Sequence, residues 1–215
     1  EWTNALVVVA LLTMIVGSVL SVTQTDMKRL LAYSSIANAG YLLVGVLALN
    51  RDGLASTMFY LVAYGFTVVA AFAIVTLVRD ADGEATHLSR WAGLGRRSPF
   101  YAGIFTFILL AFAGIPLTSG FTGKYAVFSA ALDNAPYGAA LVLVGVLASA
   151  VAVFFYIRVI VLMYFSEATG DAVTVSQPGA LTIVAVGVGI FATIALGVMP
   201  NFALELAQSS AVFLP

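Results

Sequence analysis

The sequence predicts an all-α polytopic membrane protein, and three observations carry that prediction. Of its 215 residues 62% are hydrophobic, only 9% are charged, and the mean hydropathy is +1.07; soluble domains carry about a quarter charged residues. Six apolar stretches, at 3–22, 29–49, 54–78, 100–132, 137–165 and 178–198, are each long enough to cross a hydrocarbon core, which takes roughly 20 helical residues. The polar residues collect between these stretches, as bilayer insertion requires.

Taken in order, the first stretch carries no charge. The second starts at the pair Lys28-Arg29 and contains Tyr33, Ser34, Ser35 and Asn38. The third lies between Arg51 and Arg79 and carries Tyr60, Tyr64 and Thr67; Tyr60 and Tyr64, four apart, share a helical face. Segment 79–99 is the long polar connection. Its Ser98 and Pro99 read as N-cap and first helical position of the fourth stretch.

The fourth stretch is too long: about 33 residues of continuous helix would span about 50 Å, beyond the hydrocarbon thickness. It is predicted to break at Gly114-Ile115-Pro116-Leu117-Thr118-Ser119-Gly120-Phe121-Thr122-Gly123, where Pro116 removes a backbone donor and three glycines weaken the helix. In the fifth stretch Gly145 and Ser149, four apart, read as a close-packing pair, and Tyr156 is a further polar group. The sixth carries no charge, and Glu205, beyond Pro200, is expected at the interface.

Residues 1–215 read as one membrane-embedded helical unit. Because the chain opens with Glu-Trp-Thr-Asn and not Met, it is expected to be part of something longer. Threading the stretches puts Lys28, Arg29, Arg79, Arg90, Arg96, Arg97 and Arg158 near one side and Arg51 on the other. The positive-inside rule makes the first side cytoplasmic, with the 79–99 loop there and both ends outward.

The net charge of −1 and the absence of a basic patch set nucleic-acid binding aside. With no cysteine, the chain has no disulfide, thiolate zinc site or iron–sulfur ligation, so electron transfer is assigned to other chains. Gly187-Val188-Gly189-Ile190-Phe191-Ala192 fits a dinucleotide-binding pattern only formally, since it lies in an apolar span and follows no strand. Asp80-Ala81-Asp82-Gly83-Glu84 lacks the spacing of a calcium loop and reads as an acidic, solvated turn. His87 has no companion ligands for a metal.

One residue resists a structural explanation. Lys124 belongs to neither surface and follows the expected break. A charged lysine near the bilayer centre costs about 2.5–3.5 kcal/mol, so such residues face a bundle interior and serve a function. Burial disfavours the charged form of an amine, which equips it to gain and lose a proton. Lys124 is therefore the candidate proton carrier, with Pro116, Thr118, Ser119 and Thr122 at the break and Tyr60 and Tyr64 as candidate pathway lining. The competing reading, a lysine snorkelling to the interface, has no use for a broken helix.

Two motifs carry a resemblance. Asp26-Met27-Lys28-Arg29-Leu30-Leu31-Ala32-Tyr33-Ser34-Ser35 resembles the D-x-K-R-x-L-A-Y-S-S/T motif of the antiporter-like membrane subunits of NADH:quinone oxidoreductase, respiratory complex I. Gly114-Ile115-Pro116 through Gly120-Phe121-Thr122-Gly123-Lys124 is similar to the broken-helix motif of the same family. Where the L and M subunits and Mrp-type antiporters carry a pattern like H-x-x-x-H-x-x-x-K, this chain has Tyr60, Tyr64 and Val68, which points to the N-type branch.

The resemblance implies the last six helices of a fourteen-helix subunit built from two inverted five-helix repeats. Lys124 then matches the lysine of the second broken helix. The glutamate and two lysines of the family's preceding helices have no counterpart here, so this stretch by itself does not complete a proton path. By the same resemblance, NADH, FMN, iron–sulfur clusters and quinone belong to other subunits. The expected partners are subunit M, the small membrane subunits and the lipid bilayer, in a bacterial inner membrane. A Mrp-type cation/proton antiporter or a membrane-bound hydrogenase is the alternative assembly.

Overall fold

The computed structural model describes residues 2–80, 83–167 and 173–211. Five helices have the length and composition to cross a membrane: α1 (Trp2–Thr23), α2 (Met27–Leu47), α3 (Arg51–Leu77), α7 (Gly138–Phe165) and α8 (Ala180–Val198). Between α3 and α7 lie α4 (Leu94–Arg97), α5 (Pro99–Ala113) and α6 (Ser119–Asn134), and α9 (Pro200–Ser210) follows α8. The stretch 100–132 is thus two helices in tandem. At 1.5 Å per residue they are about 22 and 24 Å long, each too short to cross a core of about 30 Å alone.

Local chemistry sets the boundaries. Asp26 caps α2 by accepting from the Arg29 N–H at 2.9 Å, and Asn50 caps α3 by accepting from the Gly53 N–H at 2.7 Å. As the sequence predicts, Pro99 opens α5 and Ser98 occupies its N-cap position, although the serine side chain makes no capping bond. At the other end of α5, Gly114 adopts φ +84°, its N–H bonds to Ala111 O, and the Ile115 N–H bonds to Leu110 O. That is the Schellman termination, which a residue without Cβ permits. Leu117 also takes a left-handed conformation, at φ 73°.

The break is narrower than the sequence implied. Gly120 and Gly123 lie inside α6, where they permit close approach and do not unwind the helix. A Cβ on Gly123 would run into the Tyr60 ring of α3, and one on Gly120 into the Ala111 carbonyl of α5. Pro116 faces outward, exposed.

The connection 79–99 is also more ordered than a solvated loop. β1 (Val78–Asp80) pairs antiparallel with β2 (Gly83–Glu84) and with β3 (Thr174–Val175), giving the order β2-β1-β3. Residues 81 and 82 of the acidic turn lie outside the described residues, but Glu84 pairs with Lys28, and Asp80 pairs with Arg90 at 3.3 Å. A 3-10 turn at Leu88–Trp91 drives Trp91 into the core, where its indole N–H bonds to Ala85 O at 2.7 Å. His87 accordingly has partners: its Nδ1 meets Ser89 Oγ at 2.8 Å, and its backbone bridges to Asp26.

Two buried clusters fill the interior. One joins Met27, Leu30, Ile74, Trp91, Phe105 and Phe155; the other joins Met14, Tyr41, Tyr60, Val127 and Leu141, and Tyr64 packs against both. The outward faces of the long helices stay apolar, with Leu12, Leu61, Leu147 and Phe191 all exposed, which suits contact with lipid chains. α9 folds back on the start of α3: Arg51 Nε donates to Gln208 O at 3.0 Å, and Gln208 Nε2 donates to Asp52 Oδ1 at 3.2 Å. Glu205 is exposed on this helix.

Candidate functional site at the broken helix

Lys124 stands on the second turn of α6 and is buried, 6% exposed. Because the first turns of α6 pack against the last turn of α5, its amine reaches the carbonyls that α5 leaves free. Nζ donates to Phe112 O at 2.9 Å, to Ala113 O at 3.5 Å and to Ser149 Oγ of α7 at 3.0 Å. The last carbonyls of a helix have no intrahelical partner and carry the negative end of its dipole, so a cation is favoured there. The face of Tyr41, on α2, completes the cradle 5.2 Å from Nζ.

Among the described residues Lys124 makes no ion pair; the pairs found are Lys28 with Glu84 and Asp80 with Arg90, both in the layer at the helix ends. The cradle is therefore built from dipoles and one aromatic face. A groove of about 290 Å³ between α6 and α7 reaches Lys124, lined also by Gly114, Phe121, Tyr125, Phe128 and Ser149. A hollow of about 210 Å³ between α3, α8 and α9, lined by Met58, Val62 and Leu196 among others, holds no titratable side chain.

A second polar group joins α2, α3 and α7. Tyr60 Oη donates to Asn38 Oδ1, Asn38 Nδ2 donates to Ser34 O at 2.8 Å, Ser34 Oγ meets Tyr156 Oη, and Tyr64 Oη donates to Ser35 Oγ at 2.9 Å. Phe112 ties the two groups together. Its ring lies 5.6 Å from that of Tyr64 and 5.7 Å from that of Tyr156, while its carbonyl holds Lys124.

The sequence candidates thus separate. Tyr60 and Tyr64 sit in the second polar group. Thr118 is buried, its hydroxyl bonded to Ile115 O at 2.7 Å; Ser119 Oγ is buried without a hydrogen-bond partner; Thr122 is half-buried; and Pro116 points away from the lysine's cradle. Ser149, read as a packing residue, instead touches Nζ directly, whereas Gly145 does pack, its α-carbon facing the Phe128 ring. Tyr41 and the carbonyls of Phe112 and Ala113 escaped sequence reading. Tyr41 follows Asn38 by three positions on α2, so a polar stripe on that helix was the available signal.

The comparisons agree with this architecture. A family profile described as NADH:quinone oxidoreductase/Mrp antiporter, TM, matches residues 1–152. The chain is similar to NADH-quinone oxidoreductase subunit N of Salinispora arenicola, with 66% identity over 99% of this chain and 41% of that protein, and to its Mycobacterium bovis counterpart, with 52% identity over 100% and 41%. It spans about two-fifths of the length of these curated relatives. In the solved Thermus thermophilus respiratory complex I with bound aureothin, one chain matches with TM-score 0.78 and 28% identity, covering 94% of this chain and 45% of that one. A chain of the Dietzia sp. Mrp complex matches with TM-score 0.85 and 23% identity over 100% and 47%, a likeness of fold alone. On the match over residues 1–152 and the multi-pass helical fold, this chain belongs to the membrane-embedded family of NADH:quinone oxidoreductase and Mrp antiporter subunits.

Proposed function

We propose that this chain is the C-terminal portion of a subunit N of a bacterial NADH:quinone oxidoreductase, and that it moves protons through Lys124. The observation that carries the reading is the cradle: a buried lysine held by the free carbonyls at the end of α5 and by Ser149, with no ion pair among the described residues. A carboxylate partner would hold the amine charged; dipoles leave both protonation states accessible.

The hydrogen-bond count supports this. An ammonium has three N–H donors and a neutral amine two. The two short contacts, Phe112 O at 2.9 Å and Ser149 Oγ at 3.0 Å, satisfy a neutral amine, and the longer one to Ala113 O at 3.5 Å receives the third N–H of the charged form. One cradle therefore serves both states without rebuilding, as a carrier needs. The protein contributes position and electrostatics, while quinone reduction elsewhere in the complex biases the charge state of Lys124 through a row of buried groups.

In this reading NADH, FMN, iron–sulfur clusters and quinone reside on other subunits. The partners are subunit M and the small membrane subunits, and the location is the bacterial inner membrane with the 79–99 layer cytoplasmic. Tyr60, Tyr64 and Val68 stand where a Mrp-type antiporter carries titratable groups, which favours the N-type assignment. The path also draws on Tyr60, Tyr64, Thr118, Ser119 and Thr122, with Pro116 holding the break open.

The test is NADH-driven proton pumping in membrane vesicles carrying the full-length subunit with Lys124→Ala, measured with NADH:quinone activity and assembly. The expected outcome is a lowered proton-to-electron ratio in an assembled complex. An unchanged ratio would show the lysine to be structural.

A further inference from the structure

A cavity of about 380 Å³ opens where α1 and α7 meet the 79–99 layer, lined by Thr25, His87, Ser89, Arg158, Leu162 and Ser166 among others. Arg158 is its one charged residue. The guanidinium reaches across from α7 to the last turn of α1, where Nη1 donates to Val22 O at 2.7 Å. That bond uses one of five N–H donors and fixes the planar fork, so the remaining donors are held ready for a second acceptor. Arg158 makes no ion pair among the described residues, and no carboxylate lines the cavity. The nearby Asp26 turns its carboxylate to the Arg29 N–H of α2 instead.

The other polar groups of the lining are donors as well. The Ser89 backbone N–H donates to His87 Nδ1 at 3.3 Å, which places the proton of the neutral ring on Nε2. Nε2–H and the hydroxyls of Thr25 and Ser166 have no partner among the described residues. The site thus gathers a fixed guanidinium and three free donors, the set that recognises a phosphate oxygen.

What adjoins the cavity selects the kind of phosphate. Arg158 lies seven residues before Phe165, about 10 Å short of the end of α7. On the same helical face Phe154, Val161 and Phe165 are all exposed, and Val16 and Val19 are exposed on α1, which packs against α7. A free phosphate would leave this apolar wall unused, whereas a lipid carries a phosphate at the interface and acyl chains below it. Basic pockets between membrane helices at this level are suited to lipid head groups.

We propose that this cavity holds the head group of an anionic phospholipid, with Arg158 on the phosphodiester, His87, Thr25 and Ser166 donating to its oxygens, and the acyl chains lying on α1 and α7. The absence of a carboxylate from the lining gives a choline ammonium no counter-charge, so a head group of net negative charge is preferred.

The experiment uses the assembled complex with the full-length subunit, in nanodiscs of phosphatidylcholine with or without phosphatidylglycerol. The readouts are head-group density beside Arg158 in electron cryomicroscopy maps and phosphatidylglycerol retained per complex in native mass spectrometry. The expected result is density on Arg158 in the phosphatidylglycerol discs alone, undisturbed by excess inorganic phosphate, with one lipid fewer retained by Arg158→Gln. Because Arg158 also holds Val22 O, a second variant, Thr25→Val with Ser166→Ala, leaves that bond intact. It should lower occupancy of the site several-fold, and it decides if Arg158→Gln does not assemble. Lys124→Ala should keep the lipid, since the site makes no use of that residue. A cavity that is empty or filled by protein, density of equal strength in pure phosphatidylcholine, displacement by inorganic phosphate, or unchanged retention in the variants overturns the lipid site.

Discussion

Lys124 and arginine would place a similar charge at the same point, and their difference separates a carrier from a fixed cation. A guanidinium stays protonated throughout the working pH range. Lys124→Arg is therefore expected to abolish pumping through this subunit as fully as alanine does, with the complex assembled. If the arginine variant pumps normally, the site needs only a positive charge. Ser149→Ala is milder: Nζ keeps Phe112 O at 2.9 Å but loses the contact at 3.0 Å. The expected result is a partial fall in the proton ratio, smaller than that of Lys124→Ala, read in the same vesicles.

At the scale of elements, two helix features can be tested by stability. Gly123 lets α6 lie against the Tyr60 ring, so Gly123→Val forces the helices apart. Overpacking of this kind costs about 1–3 kcal/mol, and a lowered melting temperature of the purified complex, partly recovered by adding Tyr60→Leu, is the expected outcome. The second feature is the Asp26 cap of α2. Burial acts to raise the Asp26 carboxyl, but hydrogen bonds from the Arg29 backbone and from Thr86 outweigh it and hold the group below the ordinary carboxylate value. Because the folded value is the lower one, the cap's contribution is fully present above the unfolded value of about 3.9 and disappears as pH falls through the folded value. Asp26→Asn keeps the cap without titrating. Melting temperatures followed from pH 6 downward should diverge below about pH 4, with wild type losing more than the variant. Parallel curves would refute this account of the cap.

For the molecule as a whole, orientation is the property to check, and the absence of cysteine from this chain makes it accessible. Ser89 lies in the 79–99 layer and Asn134 at the opposite end of α6, and both are exposed. In a full-length subunit cleared of other cysteines, Ser89→Cys should react with a membrane-impermeant maleimide in vesicles with the cytoplasmic face outward, and Asn134→Cys should not. The reverse pattern would invert the topology derived from the arginines.

Composition and hydropathy determined that this chain is an all-α membrane protein, because transfer from water to lipid is decided residue by residue and sums along the chain. The tandem Gly114-Ile115-Pro116 announced the interruption of the fourth stretch for the same local reason: the missing donor and the left-handed turn are properties of those residues themselves. Lys124 stood out as an isolated cation in an apolar run. What it touches could not be read there, since Phe112 O is twelve positions back, Ser149 twenty-five ahead and Tyr41 on another helix, and a helix end that the sequence announces does not say which side chain meets its carbonyls. The placement of Gly120 and Gly123 inside α6, and the burial of Trp91 from a polar connection, were likewise decided by packing, because whether a glycine loosens a helix or admits a neighbour depends on what lies opposite. Only the tertiary structure, by packing the start of α6 against the end of α5 and against α7, turned one buried amine into a site with defined donors and acceptors.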